Sequence, residues 1–128
     1  MTGSVYVVSE SRQRTTVTPA GSMFGLAGPS QGGSELSTWR VALDADASTP
    51  VHAIDREQVW MPLSGRFEVE AEGGVERAGV GQALVLPAGA VRKVTAVGGA
   101  AEALVAMVAG GRAVVPGRDD GIPLPWAE

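Results

Sequence analysis

The chain's only histidine, His52, is the residue whose type most directly permits acid–base chemistry near neutral pH. An imidazole titrates near neutrality, so it can take up a proton in one step of a reaction and return it in another. Cysteine is absent, which excludes disulfides, thiolate metal sites and a cysteine nucleophile. The sequence also contains no G-x-S-x-G motif and no glycine-rich loop leading into a helix. Neither a serine nucleophile elbow nor a phosphate-binding loop is therefore predicted.

The composition is that of a small globular protein with many turns. Its 128 residues suit one domain, predicted over 1–128, and 18 glycines with 8 prolines indicate short strands. The net charge is −4 and the basic residues are scattered, so neither nucleic acid nor a membrane is an expected partner. Residues 1–16 do not resemble a signal peptide, and the longest later apolar run, 103–109, is too short to span a bilayer. A cytoplasmic location is expected.

The N-terminal part, residues 1–35, is predicted to hold two strands and a loop. Val5–Val8 and Thr15–Thr18 are rich in β-forming residues, and the glycine-rich segment Gly25–Ser34 is predicted to be a loop over one mouth of the fold. The next strand, Leu36–Leu43, mixes apolar residues of both parities, which predicts that both of its faces are partly covered. Arg40 is therefore expected to be buried.

The remainder of the core segment, residues 36–109, alternates strands with glycine turns. Residues 66–72 alternate polar and apolar side chains strictly and are followed by a Gly-Gly hairpin turn, while Pro62 predicts a bulge or a sheet edge. The tail, 110–128, is predicted to lie across the fold. No segment has the length and pattern of an amphipathic helix, so an antiparallel all-β sandwich or barrel is expected. Further strands are predicted at Ala83–Pro87, Val91–Val97 and Ala101–Ala109.

The second half of the chain resembles the cupin superfamily, whose motifs are G-x5-H-x-H-x3-E-x6-G and G-x5-P-x-G-x2-H-x3-N. The second motif is matched by Gly81, Pro87 and Gly89, with Arg92 in the place of its histidine. This resemblance implies an antiparallel cupin-type β-barrel, also described as a double-stranded β-helix or jelly roll.

The first motif is matched at its first histidine by His52 and at its closing glycine by Gly65. Asp46 replaces the opening glycine, Ile54 the second histidine and Gln58 the glutamate. Cupins that need a metal hold it with imidazole and carboxylate groups. Ile54 has no lone pair to offer a metal ion, and Arg92 would place a positive charge where the metal ion should lie. No metal and no other cofactor is therefore expected.

The cupin register implies that His52, Ile54, Gln58 and Arg92 point into the barrel, and strand alternation adds Trp60. His52 is the candidate proton shuttle, and Arg92 the candidate group for binding a carboxylate or stabilising an enolate or alkoxide. The candidate substrate-binding residues are Gln58, Trp60, Ile54, Arg40 and Met107. In the structural alternative, His52 is an ordinary hydrogen-bonding residue, and Trp60 and Met107 only fill the core. Arg92 then pairs with an acidic neighbour such as Glu57 or with an acidic residue of a partner subunit.

Three functions remain open at this point. The first is a metal-independent enzyme that isomerises, cyclises or dehydrates a small molecule with an anionic or carbonyl group, as in secondary metabolism. The second is a cupin that binds or senses an acidic metabolite without turning it over. The third is a divergent metal-dependent dioxygenase. Small cupins commonly pair, and the Val5–Val8 strand would offer an edge to a partner, so a homodimer is expected.

Overall fold

The computed structural model describes residues 3–5, 7–33, 35–117 and 120–128. Within these ranges the chain consists almost entirely of antiparallel strands, and the predicted all-β class is confirmed. The helices of the described ranges are two 3-10 turns, Arg12–Arg14 and Pro125–Ala127, and none has the length and apolarity needed to cross a bilayer. The strands are β1 (Thr15–Thr18), β2 (Gly21–Gly25), β3 (Leu36–Leu43), β4 (Ala53–Ile54), β5 (Gln58–Ser64), β6 (Arg66–Ala71), β7 (Gly74–Gly79), β8 (Leu84–Leu86), β9 (Arg92–Ala96), β10 (Ala101–Val108), β11 (Arg112–Val114) and β12 (Ile122–Pro123).

The strands form one large sheet and two small ones. The large sheet has the order β1-β2-β3-β10-β5-β8, and the two three-stranded sheets have the orders β7-β6-β9 and β12-β11-β4. Inward-facing residues of the sheets pack into one hydrophobic core, in which Trp39, Phe67 and Val94 are at most 2% exposed. Burial of these apolar side chains is the dominant favourable contribution to folding.

The β6–β7 hairpin forms because its sequence alternates. Phe67 and Val69 are buried while Glu70 faces water, and Ala71 pairs with Gly74 across a two-residue turn. The predicted bulge at Pro62 is also present. Along β10 the register passes from Pro62, opposite Ala103, to Ser64, opposite Glu102, so one residue of β5 has no partner.

The N-terminal prediction is wrong in two respects. Residues 5, 7 and 8 are not in a strand, and Val5 and Val7 are 98% and 90% exposed. The β-forming composition of this run is insufficient because a strand also needs a partner and a surface to cover. A further strand that was not predicted, β2, pairs with both β1 and β3. Two residues of the predicted elements, Tyr6 and Ser34, lie outside the described ranges.

Strand β3 has a clear inner face, so the expectation that Arg40 is buried is wrong. Ser37, Trp39, Val41 and Leu43 are buried, and the residues between them are partly exposed. Arg40 lies on the outer face, where its side chain is 24% exposed. Ser37 conceals this pattern in the sequence, because a serine occupies a fully buried inner position.

Candidate functional site

The interior of the fold contains a cavity of about 500 Å³. Its wall combines residues of β2, β3, β4, β5 and β9 with the C-terminal segment 122–126, so the tail lies along one side of the cavity. Most of the wall is apolar, and it includes all three tryptophans of the chain. The lining residues that concern function are Trp39, His52, Ile54, Gln58, Trp60, Arg92, Leu124 and Trp126.

Arg92 is the first residue of β9 and points inward. It is 3% exposed, and its Nη2 donates a hydrogen bond to the side-chain oxygen of Gln58 at 2.8 Å. No residue within the described ranges accepts a hydrogen bond from its Nε. Burial lowers the pKa of Arg92 to about 10, so the guanidinium remains positively charged at neutral pH. Arg92 also lines a second cavity of about 440 Å³ beside β7 and β8, and therefore lies between two cavities.

His52 is fixed beside Arg92 by the backbone. The amide of each residue donates to the carbonyl oxygen of the other, at 3.1 Å and 2.9 Å. The Nδ1 of His52 lies 2.6 Å from the carbonyl oxygen of Pro50. A carbonyl oxygen only accepts hydrogen bonds, so Nδ1 carries the proton and Nε2 carries the lone pair of the neutral ring.

The surroundings of His52 keep its ring neutral. Burial lowers the pKa of His52 below its ordinary value, and the charge of Arg92 lowers it further, while the hydrogen bond to Pro50 opposes the shift. The neutral form therefore dominates at pH 7. A neutral imidazole with a free Nε2 lone pair is chemically suited to act as a general base.

Gln58 connects Arg92 to the large sheet. Its side-chain oxygen accepts hydrogen bonds from Arg92 and, at 3.1 Å, from Nε1 of Trp60. Its amide nitrogen lies 3.6 Å from the sulfur of Met107. The ring of Trp60 packs edge-on against Phe67 with a centroid distance of 5.6 Å. Gln58 and Trp60 thus support Arg92, and Met107 supports Gln58 from behind the cavity wall.

The other predicted residues separate into two groups. Ile54 is 1% exposed and lines the cavity, where its side chain adds apolar surface. Arg40 is not in the cavity wall: it pairs with Glu10 at 2.7 Å and with Glu102, and its guanidinium lies over the ring of Phe24. Because β3 alternates strictly, a residue next to Trp39 faces the opposite side of the sheet.

Three residues of the cavity wall were not predicted as site residues: Trp39, Leu124 and Trp126. Trp39 is on the inner face of β3, which the strand's mixed pattern conceals. Trp126 belongs to the C-terminal 3-10 turn, and the carbonyl oxygen of the next residue, Ala127, accepts a hydrogen bond from Ser37 at 2.5 Å. This contact joins residues 90 positions apart, so no local pattern indicates it.

The side chains at the motif positions do not fit a transition metal. His52 is the only imidazole, Ile54 has no lone pair, and the guanidinium of Arg92 repels a cation. Across the described ranges, no three His, Cys, Asp or Glu side chains lie close enough together to hold a metal ion. The donor set thus argues against the dioxygenase hypothesis.

Comparison with known proteins gives the fold. No family model and no curated protein matches the sequence. Solved structures of oxalate decarboxylase from Bacillus subtilis, a protein with Mn(II) centres, superpose on 85% of this chain with a TM-score of 0.72 at 18% identity. The oxalate decarboxylase of Lactobacillus farciminis in its formate complex does so at 14% identity with the same TM-score. A putative ethanolamine utilization protein q from Salmonella typhimurium superposes on 68% of the chain with a TM-score of 0.60 at 20% identity.

These proteins have the cupin fold, and this chain has the fold of the cupin superfamily, as its two glycine-anchored motifs predict. The chain spans only 31% and 34% of the two oxalate decarboxylases, and 68% of the Salmonella protein. At such low identities the likeness establishes the fold alone. The function has to be argued from the cavity.

Proposed function

We propose that this chain is a metal-independent enzyme that moves a proton on a small molecule carrying a carbonyl or carboxylate group. The reaction would be an isomerisation, cyclisation or dehydration without redox chemistry. The observation that carries the proposal is that His52 and Arg92, joined by two backbone hydrogen bonds, both line one largely apolar cavity. A base and a fixed cation side by side are the two groups that enolisation needs.

The chemistry follows from the protonation states. Nε2 of His52 removes a proton from the carbon next to the substrate carbonyl, and the electron pair of that C–H bond moves onto the carbonyl oxygen. The guanidinium of Arg92 stabilises the resulting oxyanion, since a positive charge acts strongly in an apolar site. The imidazolium then returns the proton to a different carbon, which completes an isomerisation with no net change in atoms or charge.

Deuterium exchange tests this step without a known substrate. Small keto acids and unsaturated carboxylates are incubated with the protein in D2O, and label at carbon is followed by NMR. We expect exchange with the natural sequence, and a loss of at least ~100-fold in His52→Gln, which removes the base. Arg92→Gln should also lose activity, whereas Lys93→Gln, at a neighbouring cation paired with Glu70 at 3.3 Å, is the matched control.

The second candidate function is binding of an acidic molecule without turnover. The predominantly apolar wall with few polar groups favours it, because ligand pockets commonly have this composition. Binding of a panel member without deuterium exchange, or exchange unchanged by His52→Gln, would contradict the enzymatic proposal. The first of these results would support the binding function.

A further inference from the structure

Among the residues that the structure describes, no carboxylate neutralises the charge of Arg92. Its hydrogen-bond partner Gln58 is neutral, and no described residue accepts a hydrogen bond from Nε. Within the described ranges no carboxylate forms an ion pair with Arg92, and no aspartate or glutamate lines the cavity. The pairing with Glu57 that the structural alternative proposed is not found there. A buried guanidinium in this condition is unfavourable, because burial removes its hydration and nothing opposite in charge replaces it.

A carboxylate would satisfy this arrangement. The planar guanidinium presents parallel N–H groups that match the two oxygens of a carboxylate, and such charge-assisted bonds are stronger than neutral ones. Of the described residues in the cavity wall, Arg92 alone is cationic at neutral pH, since the lowered pKa of His52 leaves that ring uncharged. A ligand with one negative charge would therefore neutralise the positive charge of Arg92.

The rest of the wall defines the body of the ligand. Trp39, Trp60 and Trp126 contribute ring surface, and Leu124 and Met23 contribute aliphatic surface. These side chains favour apolar ligands and provide few hydrogen-bonding groups for hydroxyl-rich molecules such as sugars. A volume of about 500 Å³ lies within the usual range of small-molecule sites.

We propose that the ligand of this cavity is a monocarboxylate with a compact apolar body. Arg92 binds its carboxylate, and the three tryptophans surround its body. This inference rests on the proposed function for the location of the site and deepens it by naming the ligand class. It does not require that the ligand be turned over.

Tryptophan fluorescence measures the binding directly, because every tryptophan of the chain lines this cavity. The probes are acetate, cyclohexaneacetate and 1-adamantaneacetate, each compared with its neutral amide. None of them absorbs where tryptophan is excited. We expect the cyclic acids to bind more tightly than acetate, and at least ~10-fold more tightly than their own amides, because only the acids form the charge-assisted contact.

Three variants assign the preference for acids to Arg92. Arg92→Gln should bind acid and amide equally, and Lys93→Gln, which removes the neighbouring cation on the outer face of β9, should keep the natural preference. Gln58→Glu places a carboxylate 2.8 Å from the guanidinium and should also abolish the preference while retaining Arg92. Gln58→Glu therefore decides the matter if Arg92→Gln does not fold.

Each outcome is decisive for the ligand class. Equal affinity for acid and amide in the natural sequence would overturn the inference, and so would an absence of binding by every acid at millimolar concentration. Acid preference without deuterium exchange on any panel member would instead retain the ligand class and remove the enzymatic proposal. The two proposals thus fail separately.

Discussion

Nη2 of Arg92, on β9, donates to the side-chain oxygen of Gln58, on β5, at 2.8 Å. The same oxygen accepts from Nε1 of Trp60 at 3.1 Å. One amide oxygen therefore satisfies two buried donors and links the large sheet to the β7-β6-β9 sheet across the interior. The family resemblance places a glutamate at position 58. A neutral glutamine there positions Arg92 without neutralising it.

Replacing Gln58 by leucine should destabilise the fold by roughly 2–4 kcal/mol, because two buried donors lose their acceptor and one of them is charged. Urea unfolding followed by circular dichroism measures the change. Met61→Leu, on the same strand at a 37% exposed position, is the control and should change the free energy of unfolding by less than about 0.5 kcal/mol. A Gln58→Leu variant as stable as this control would show that the shared acceptor contributes little.

His52 should make the protein less stable as the pH falls below 6.5. Its pKa in the folded state is lowered from the ordinary value of 6.5, mainly by burial. Between the lowered pKa of His52 in the folded state and its ordinary pKa in the unfolded state, the unfolded chain binds more protons than the folded one. The free energy of unfolding therefore decreases as the pH falls through that interval. The difference in unfolding free energy between the natural sequence and His52→Gln, measured at a series of pH values, isolates this contribution. A difference that does not change with pH would contradict the lowered pKa.

The strands that could be predicted from the sequence are those in which local pattern and packing agree. Strand β6 alternates strictly, and β8, β9 and β10 are bounded by glycines or proline, so their positions follow from turn chemistry. Strand β2 was missed because two of its five residues are glycines. Residues 5, 7 and 8 were wrongly assigned, since the composition of this run favours a strand but no described strand pairs with them.

The site was predictable only in part, and for a similar reason. The motif spacing placed His52, Ile54, Gln58 and Arg92 together, since it specifies which strand positions face inward. The contributions of Leu124 and Trp126 depend on how the tail returns to the cavity, and no local signal encodes that path. Arg40 was predicted for the site because an inward serine, Ser37, obscured the alternation of β3, and the structure places it on the outer face of that strand.

Arg40 should support the N-terminal segment and have no part in ligand binding. Its guanidinium pairs with Glu10 and Glu102, and partly exposed networks of this kind contribute roughly 1 kcal/mol. Arg40→Ala should therefore lower stability by about that amount and loosen the segment around Glu10, which hydrogen exchange would detect. The affinity for cyclohexaneacetate should be unchanged. A marked loss of affinity would place Arg40 in the site after all.

Two of the motif glycines, Gly65 and Gly81, should differ in their tolerance of alanine. Gly65 has φ +71°, and a Cβ there would lie 2.6 Å from the carbonyl oxygen of Ala100. Gly81 has φ +89°, but a Cβ there would meet nothing within 4 Å. Gly81→Ala should cost only the conformational penalty of about 1–2 kcal/mol, and Gly65→Ala considerably more, since the backbone must also move. Equal losses in thermal unfolding would show that the close approach at Gly65 relaxes freely.

Homodimerisation remains a prediction, but the strand proposed to pair with the second copy is now β1 and not the N-terminal run. Residues 5, 7 and 8 form no strand, whereas β1 is at the edge of the large sheet. Val17 of β1 is 78% exposed, and an edge strand with an apolar side chain in water favours pairing with a second copy.

Light scattering at micromolar concentration should give twice the 13.0 kDa of one chain. Val17→Lys should shift the mass towards the monomer, while Val51→Lys, at a 52% exposed loop position, should not. A monomeric natural sequence would refute the prediction, and a dimer that is insensitive to Val17→Lys would place the interface elsewhere.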